Sequence, residues 1–253
     1  MRTDGVRFSI VRHAAWAPGL ETPQQWHAWA QSALPVAPIA AAGEPGVRAM
    51  APMQRRRAGQ LGKMALEVAY ACLGEQCDVP LVFCSRHGEV ARAVELLSAL
   101  AHGEPLSPTA FGMAVHNASA GLFSIARADT ANQLALAAGA ASVEAAVIEA
   151  CGLLADGAAQ VLLVLAECPL PVPFEAFEDC HEQPHAFAWL LQAEDSPGTA
   201  FSLTWRARGS GDALAPAAGA MPGSLAVLRF MLGEACSFEH AANRQTWCWS
   251  RHA

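Results

Sequence analysis

The apolar positions change period along the chain, and that period sorts the segments into strands and helices. Residues 6–13 (VRFSIVRH) alternate and predict a first strand. In AAWAPGLETPQQWHAWAQ, Thr22 is placed as a helix N-cap, with Pro23 at the first helical position. Trp26 and Trp29, three residues apart, then share one helix face. Residues 34–53 are rich in Pro, Gly and Ala and read as a loop, followed by a helix over 55–73. DVPLVFC (78–84) is a short apolar run of the kind buried in a sheet. SRHGE makes a turn, 89–101 a helix, and Ser107-Pro108 a further helix start. A short strand over 132–137 leads into a helix of small residues over 139–156, ended by Gly157. AQVLLVLAEC (159–168) is the strongest strand in the chain, and PLPVP then breaks the pattern. Residues 186–194 and 199–207 predict two antiparallel strands around the turn DSPG. A linker over 208–220, a helix over 224–235 and a terminal strand over 244–251 complete the chain. This order predicts a layered α/β domain around a mixed central sheet, without internal repeats.

Composition narrows the picture. The 253 residues are 53% hydrophobic and 15% charged, which excludes disorder and leaves apolar surface for a partner to cover. The net charge is −7, and the only basic run, Arg55-Arg56-Arg57, lacks interleaved aromatics. Nucleic acid is therefore not an expected partner; that run reads as a solvated helix face or, more sharply, as a contact to an acidic partner. The eight cysteines form no CxxC, and no signal peptide is expected, since Arg2 and Asp4 precede only a short apolar segment. Reduced, buried thiols in a cytoplasmic protein are expected, and no window reaches the ~20 apolar residues of a membrane span.

Several constellations carry candidate chemistry. Cys84 and His87 place a thiol and an imidazole at a strand end, where a nucleophile and base would suit; otherwise Cys84 faces the core and His87 caps a turn. Cys168, Cys180, His181 and His185 cluster like metal ligands, but Pro184 interrupts helical spacing and no common zinc pattern fits. A G-x-S-x-G elbow is absent, since 118–121 reads ASAG, and so are phosphate loops, since 207–213 (ARGSGDA) reads as linker. The segment 132–148 (NQLALAAGAASVEAAVI) predicts a strand, a tight turn and a helix N-terminus, where a thiolate would be stabilised. Every position from 134 to 141 is Leu, Ala or Gly; the alternative is an ordinary packed strand–helix join.

PLVFCSRHGEVARAVELL (80–97), LSPTAFGMAVHNASAGLFSIA (106–126), ALAAGAASVEAAVIEACGLL (135–154), QVLLVLAECPLP (160–171) and the opening WAPGLETPQQWHAWA (16–30) occur in this order. Together they resemble the β-ketoacyl-synthase-like N-terminal domain proteins over about residues 1–195, in particular chain-length-factor subunits of aryl-polyene and type II polyketide-like pathways. The resemblance implies a layered thiolase-like half-fold over 1–207, with 208–253 as linker, helix and terminal strand on the same domain. It places the family's nucleophilic cysteine at Leu136 or, counted back from Gly157, at Ala140, and supplies no counterpart for the two catalytic histidines of a second half. His116, Asn117 and Gly121 match a recurrent H-N-x-x-x-G stretch near the dimer interface and acyl tunnel. Structural roles are expected there: Asn117 capping the following helix, Gly121 permitting close packing. Phe111, Met113 and Phe123 are candidates for lining the tunnel.

The resemblance thus implies a non-catalytic subunit, with no cofactor or metal, that pairs with a complete ketosynthase and shapes its acyl tunnel. Two alternatives stand beside it. One is an acyltransferase or thioesterase using Cys84 or Cys168. The other is a scaffold that binds acyl carrier protein through Arg55–Arg57.

Overall fold

A computed structural model of the chain describes residues 5–32, 43–194, 198–208 and 220–252. Strand β1 (Val6–Trp16) leads to helix α1 (Pro23–Gln31). A capping box starts α1: Thr22 Oγ1 accepts from the Gln25 amide, and Gln25 Oε1 accepts from the Thr22 amide. There follow α2 (Pro52–Arg55), α3 (Gln60–Leu73), β2 (Leu81–Cys84), α4 (Val90–Ala101), α5 (Pro108–Gly112), α6 (Ala118–Arg127) and β3 (Gln133–Leu136). A 3₁₀ turn, Gly139–Ala141, joins β3 to α7 (Ser142–Ala155), and β4 (Val161–Glu167) follows. After a second 3₁₀ segment (Val172–Phe177) come β5 (His185–Gln192), β6 (Thr199–Ala207), α8 (Gly223–Leu232), β7 (Ser237–Ala242) and β8 (Gln245–His252).

The strands form one eight-stranded sheet, β3-β2-β4-β5-β1-β6-β8-β7. β2 pairs in parallel with β3 and β4; every other pairing is antiparallel. The sheet is mixed because the β2–β4 unit crosses over through helices, while the remaining strands return through hairpins or long loops. The central strands read as continuous apolar runs because both sheet faces are covered. Val161, Leu163 and Leu165 of β4, with Phe187, Trp189 and Leu191 of β5, face a core roofed by α1, α7 and α8. Leu162, Val164 and Ala166, with Ala186, Ala188 and Leu190, face a second core roofed by α3 and α6. Each large side chain buried there contributes roughly 1.5–3 kcal/mol.

The structure differs from the sequence reading at several joins. The first strand runs three residues further, to Trp16. The helix expected over 55–73 is broken, because Gly59 adopts extended backbone before α3 begins. Arg55 therefore ends the short α2, and Arg56-Arg57 lie in a turn rather than on the face of a long helix. The helix expected from 139 begins as the 3₁₀ turn and becomes α-helical at Ser142. Strand β7 was not foreseen, because SFEHAA carries little alternation. It pairs with β8 across the two-residue turn Asn243-Arg244, both at positive φ (52° and 62°), the handedness that a tight hairpin needs. Residues 195–197 of the predicted turn DSPG, 34–42 of the predicted loop and most of the linker over 208–220 lie outside the described residues, and the loop expected to reach residue 53 ends where α2 begins at Pro52. Among the described residues no helix is long and apolar enough to cross a membrane.

Candidate functional site

The parallel strands set the site. β2, β3 and β4 run the same way in register, Cys84 opposite both Leu136 and Leu165, so their C-terminal ends converge. Beyond Leu136 the chain turns sharply into α7. Gly139 sits at φ +55°, where a side chain would be strained. Ser142 Oγ donates to Gly139 O at 2.8 Å and accepts from the Ala138 amide at 3.1 Å. Asn243, from the β7–β8 turn, donates through Nδ2 to Ala138 O at 2.6 Å. This is elbow geometry at a helix N-terminus, yet Leu136 is a half-buried core residue and Ala140 lies in the 3₁₀ turn.

A polar layer sits beside the elbow. Glu167, at the end of β4, accepts from the Arg86 amide at 2.8 Å and from Ser85 Oγ at 3.3 Å. Burial raises its carboxyl to about 7, against the opposing pull of those hydrogen bonds and of His87 and Arg86. The Arg86 guanidinium donates to both Asp179 oxygens at 3.0 Å and lies 3.4 Å from Cys180 Sγ. His87 pairs with Glu182 at 3.0 Å. Between Arg86, Glu167, Gly139, Ala140, Ser142 and Ser224 is a crevice of about 10 Å³, room for about one water.

Gly223 and Ser224 of α8 line this crevice, and the terminal hairpin packs behind them. A side chain on Gly223 would lie 2.4 Å from the His240 ring, so glycine is required where α8 meets the hairpin. His240 Nδ1 is 2.7 Å from Glu144 Oε1, and Trp249 Nε1 donates to the same oxygen at 3.3 Å. Glu144 is fully buried in the first turn of α7, where the helix dipole favours a carboxylate. His185 is likewise buried, 2.8 Å from Ser224 Oγ.

The residues singled out from sequence are dispersed. Cys84 is buried in the core, and burial, with Glu167 and Glu144 nearby, lifts its thiol well above the usual range. His87 is bonded to Glu182 rather than to Cys84 or a turn. Cys168 is pushed up to about 12 by burial. The Cys168–Cys180–His181–His185 cluster is not assembled: His181 is exposed, and both ring nitrogens of His185 are engaged, by Gln183 O and Ser224. Asp179, Cys180 and Glu182 do approach one another, but the Arg86 cation occupies the space between them. Phe111 is 66% exposed, Met113 is partly buried, and Phe123 is buried against Tyr70. His116 bonds Ser85 O at 3.0 Å. Asn117 precedes α6 but its side chain makes no capping bond, and space is open where a side chain on Gly121 would lie. Both expected structural roles are therefore corrected; the close approach is made instead by Gly62, against Ser119 and Glu89. Sequence reasoning missed Glu144, Glu167 and Ser224; an acidic residue inside each of two otherwise apolar runs was the available signal for the first two.

The segment 97–115 has the opposite character. Leu97 and Leu100 of α4 are 60% and 59% exposed, and Leu106, Phe111 and Val115 continue the exposed apolar surface.

Residues 26–250 match the family model for the β-ketoacyl synthase N-terminal domain. The chain belongs to this family. Its fold is the thiolase-like half-fold of ketosynthases. A chain in the structure of the ketosynthase ApeO in complex with its chain length factor ApeC, from Xenorhabdus doucetiae, is 28% identical with a TM-score of 0.84. That match covers 97% of this chain and 100% of the other. The ishigamide ketosynthase/chain length factor superposes with TM-score 0.55 at 12% identity, over 75% of this chain and 59% of its own. The AntDE:AntF complex, a type II polyketide acyl-carrier protein with its ketosynthase, gives TM-score 0.62 at 10% identity, over 79% and 69%. No curated protein matches the sequence at a significant level. The chain is thus structurally similar to ketosynthase and chain-length-factor subunits.

Proposed function

We propose that the chain is a subunit without condensing activity that pairs with a complete β-ketoacyl synthase and shapes its acyl tunnel, as a chain-length factor in cytoplasmic aryl-polyene or related fatty-acid or polyketide synthesis. The observation that carries this reading is the aliphatic, closed elbow. Condensation needs a thiolate to hold the acyl chain and donors to stabilise the charge that develops. Here Leu136 ends β3 just before the turn, Ala140 lies in it, and the crevice beside it has no room for an acyl chain.

The exposed apolar face and the outer edge of β3 suit a partner. Gln133–Leu136 carries neither charge nor proline and pairs only with β2 among the described residues, so it is an open template for another strand. Leu97, Leu100 and Phe111 would then be buried against the ketosynthase, with Phe111 positioned to limit tunnel depth. The buried, weakly acidic Cys84 and Cys168 give no support to a cysteine acyltransferase.

The test is to co-express the chain with its cognate ketosynthase and carrier protein and to measure product length. A stable complex is expected, with altered product length when Phe111 is changed to Ala. Unchanged solubility, activity and product length with and without this chain would overturn the reading.

A further inference from the structure

A cavity of about 530 Å³, the size of a small-molecule site, lies away from the elbow, on the sheet face roofed by α3. It shares no lining residue with the elbow crevice or with the exposed α4–α5 face. One wall is the segment 44–47, which three contacts hold in place. Lys63 of α3 pairs with Glu44, Glu67 Oε2 of α3 accepts from the Val47 amide at 2.5 Å, and Arg55 donates to Gly46 O at 2.9 Å. Val47 is kept there at φ +40°, a conformation that a β-branched residue seldom adopts. Trp16, at the end of β1, and Tyr70 of α3 add aromatic surface to the lining.

The charge of the lining selects what fits. Glu21, Glu44 and Glu67 face one cation, Arg48. Lys63 neutralises Glu44, and among the described residues neither Glu21 nor Glu67 is in an ion pair. The surplus is therefore negative. An ammonium group gains charge-assisted hydrogen bonds from these carboxylates and attraction from the indole, whereas an organic anion is repelled.

We propose that this cavity binds a small organic amine, with its ammonium group against Glu67 and Glu21 and its apolar body against Trp16 and Val47. Binding here is independent of pairing with a ketosynthase.

The purified full chain is titrated calorimetrically with phenethylamine. In parallel it is titrated with 2-phenylethanol, which has the same body without charge, and with 3-phenylpropionate, which has the opposite charge. Saturable binding of the amine to one site is expected, at least ~10-fold tighter than either control. Glu67→Gln keeps an acceptor for the Val47 amide, and Glu21 is exposed, so Glu21→Gln leaves the fold intact. Each change should weaken amine binding by roughly 3- to 10-fold. Ala71→Phe, at an exposed helix position on the cavity wall, should abolish binding, and it decides should Glu67→Gln fail to fold. The proposal is overturned by the absence of saturable amine binding up to about 10 mM. Equally tight binding of the alcohol or the anion, or amine binding unchanged in the variants, overturns it as well.

Discussion

The elbow end of the sheet and Phe111 of the α4–α5 segment were both expected to carry function, yet the chain packs the two regions in opposite ways. At the elbow, elements far apart in sequence converge: α7 supplies Glu144, β7 His240 and β8 Trp249, and the turn after β7 supplies Asn243. Around α4 and α5 the apolar side chains face outward, and none of the residues of these two helices is buried. The same kind of residue thus does different work in the two places. Trp249 holds its own chain together, whereas Phe111 offers surface to something else.

Truncating one aromatic in each region tests that contrast most directly. Trp249 packs edge-on to Phe8 and Trp189 and donates to Glu144. Trp249→Ala should cost about 3–5 kcal/mol in urea unfolding and loosen the hairpin over the elbow. A loss under about 1 kcal/mol would show that the elbow is not closed by this hairpin.

The next effect comes from Glu167. Its folded carboxyl is raised to about 7 from 4.5, so the folded state holds a proton that the unfolded state gives up at lower pH. Its contribution to stability is therefore fully present below about 4.5 and is lost as pH rises to about 7. The loss is on the order of 3 kcal/mol. His185 acts in the opposite sense: lowered from 6.5 to about 4, it favours the folded state above 6.5 and costs stability as pH falls. Glu167→Gln isolates the first term. Wild type should lose stability relative to the variant between pH 4.5 and 7, and parallel curves would refute the buried acid.

The smallest effect is expected on the open face. Phe111→Ala and Leu100→Ser should each change the stability of the isolated chain by no more than about 0.5 kcal/mol. The same changes should weaken ketosynthase pairing in co-purification. A large stability loss would mean that this face is packed by the chain itself.

The central strands were legible because burial on both faces leaves uninterrupted apolar runs, as in VLLVLAE of β4 and HAFAWLLQ of β5. The start of α1 was legible because Thr22, Pro23 and Gln25 act within a few residues of one another. The break before α3 was not, since helix-forming residues flank Gly59 on both sides. At the candidate site, sequence showed that residues 134–141 are all Leu, Ala or Gly but not how they are packed. His185 drew notice as a metal ligand, while its partner Ser224 lies 39 positions away.

Local order along the chain determined every strand but β7, most of the helices and the aliphatic character of residues 134–141, because period, caps and turns act over a few residues. Tertiary structure alone decided that Glu144 meets His240 and Trp249, 96 and 105 residues away, and that Arg86 meets Asp179, 93 residues away. It also decided that one apolar surface is closed by the chain's own terminal hairpin while another stays open. Both surfaces read alike as sequence, because hydrophobicity states that a face will be covered and only the path of the chain states by what.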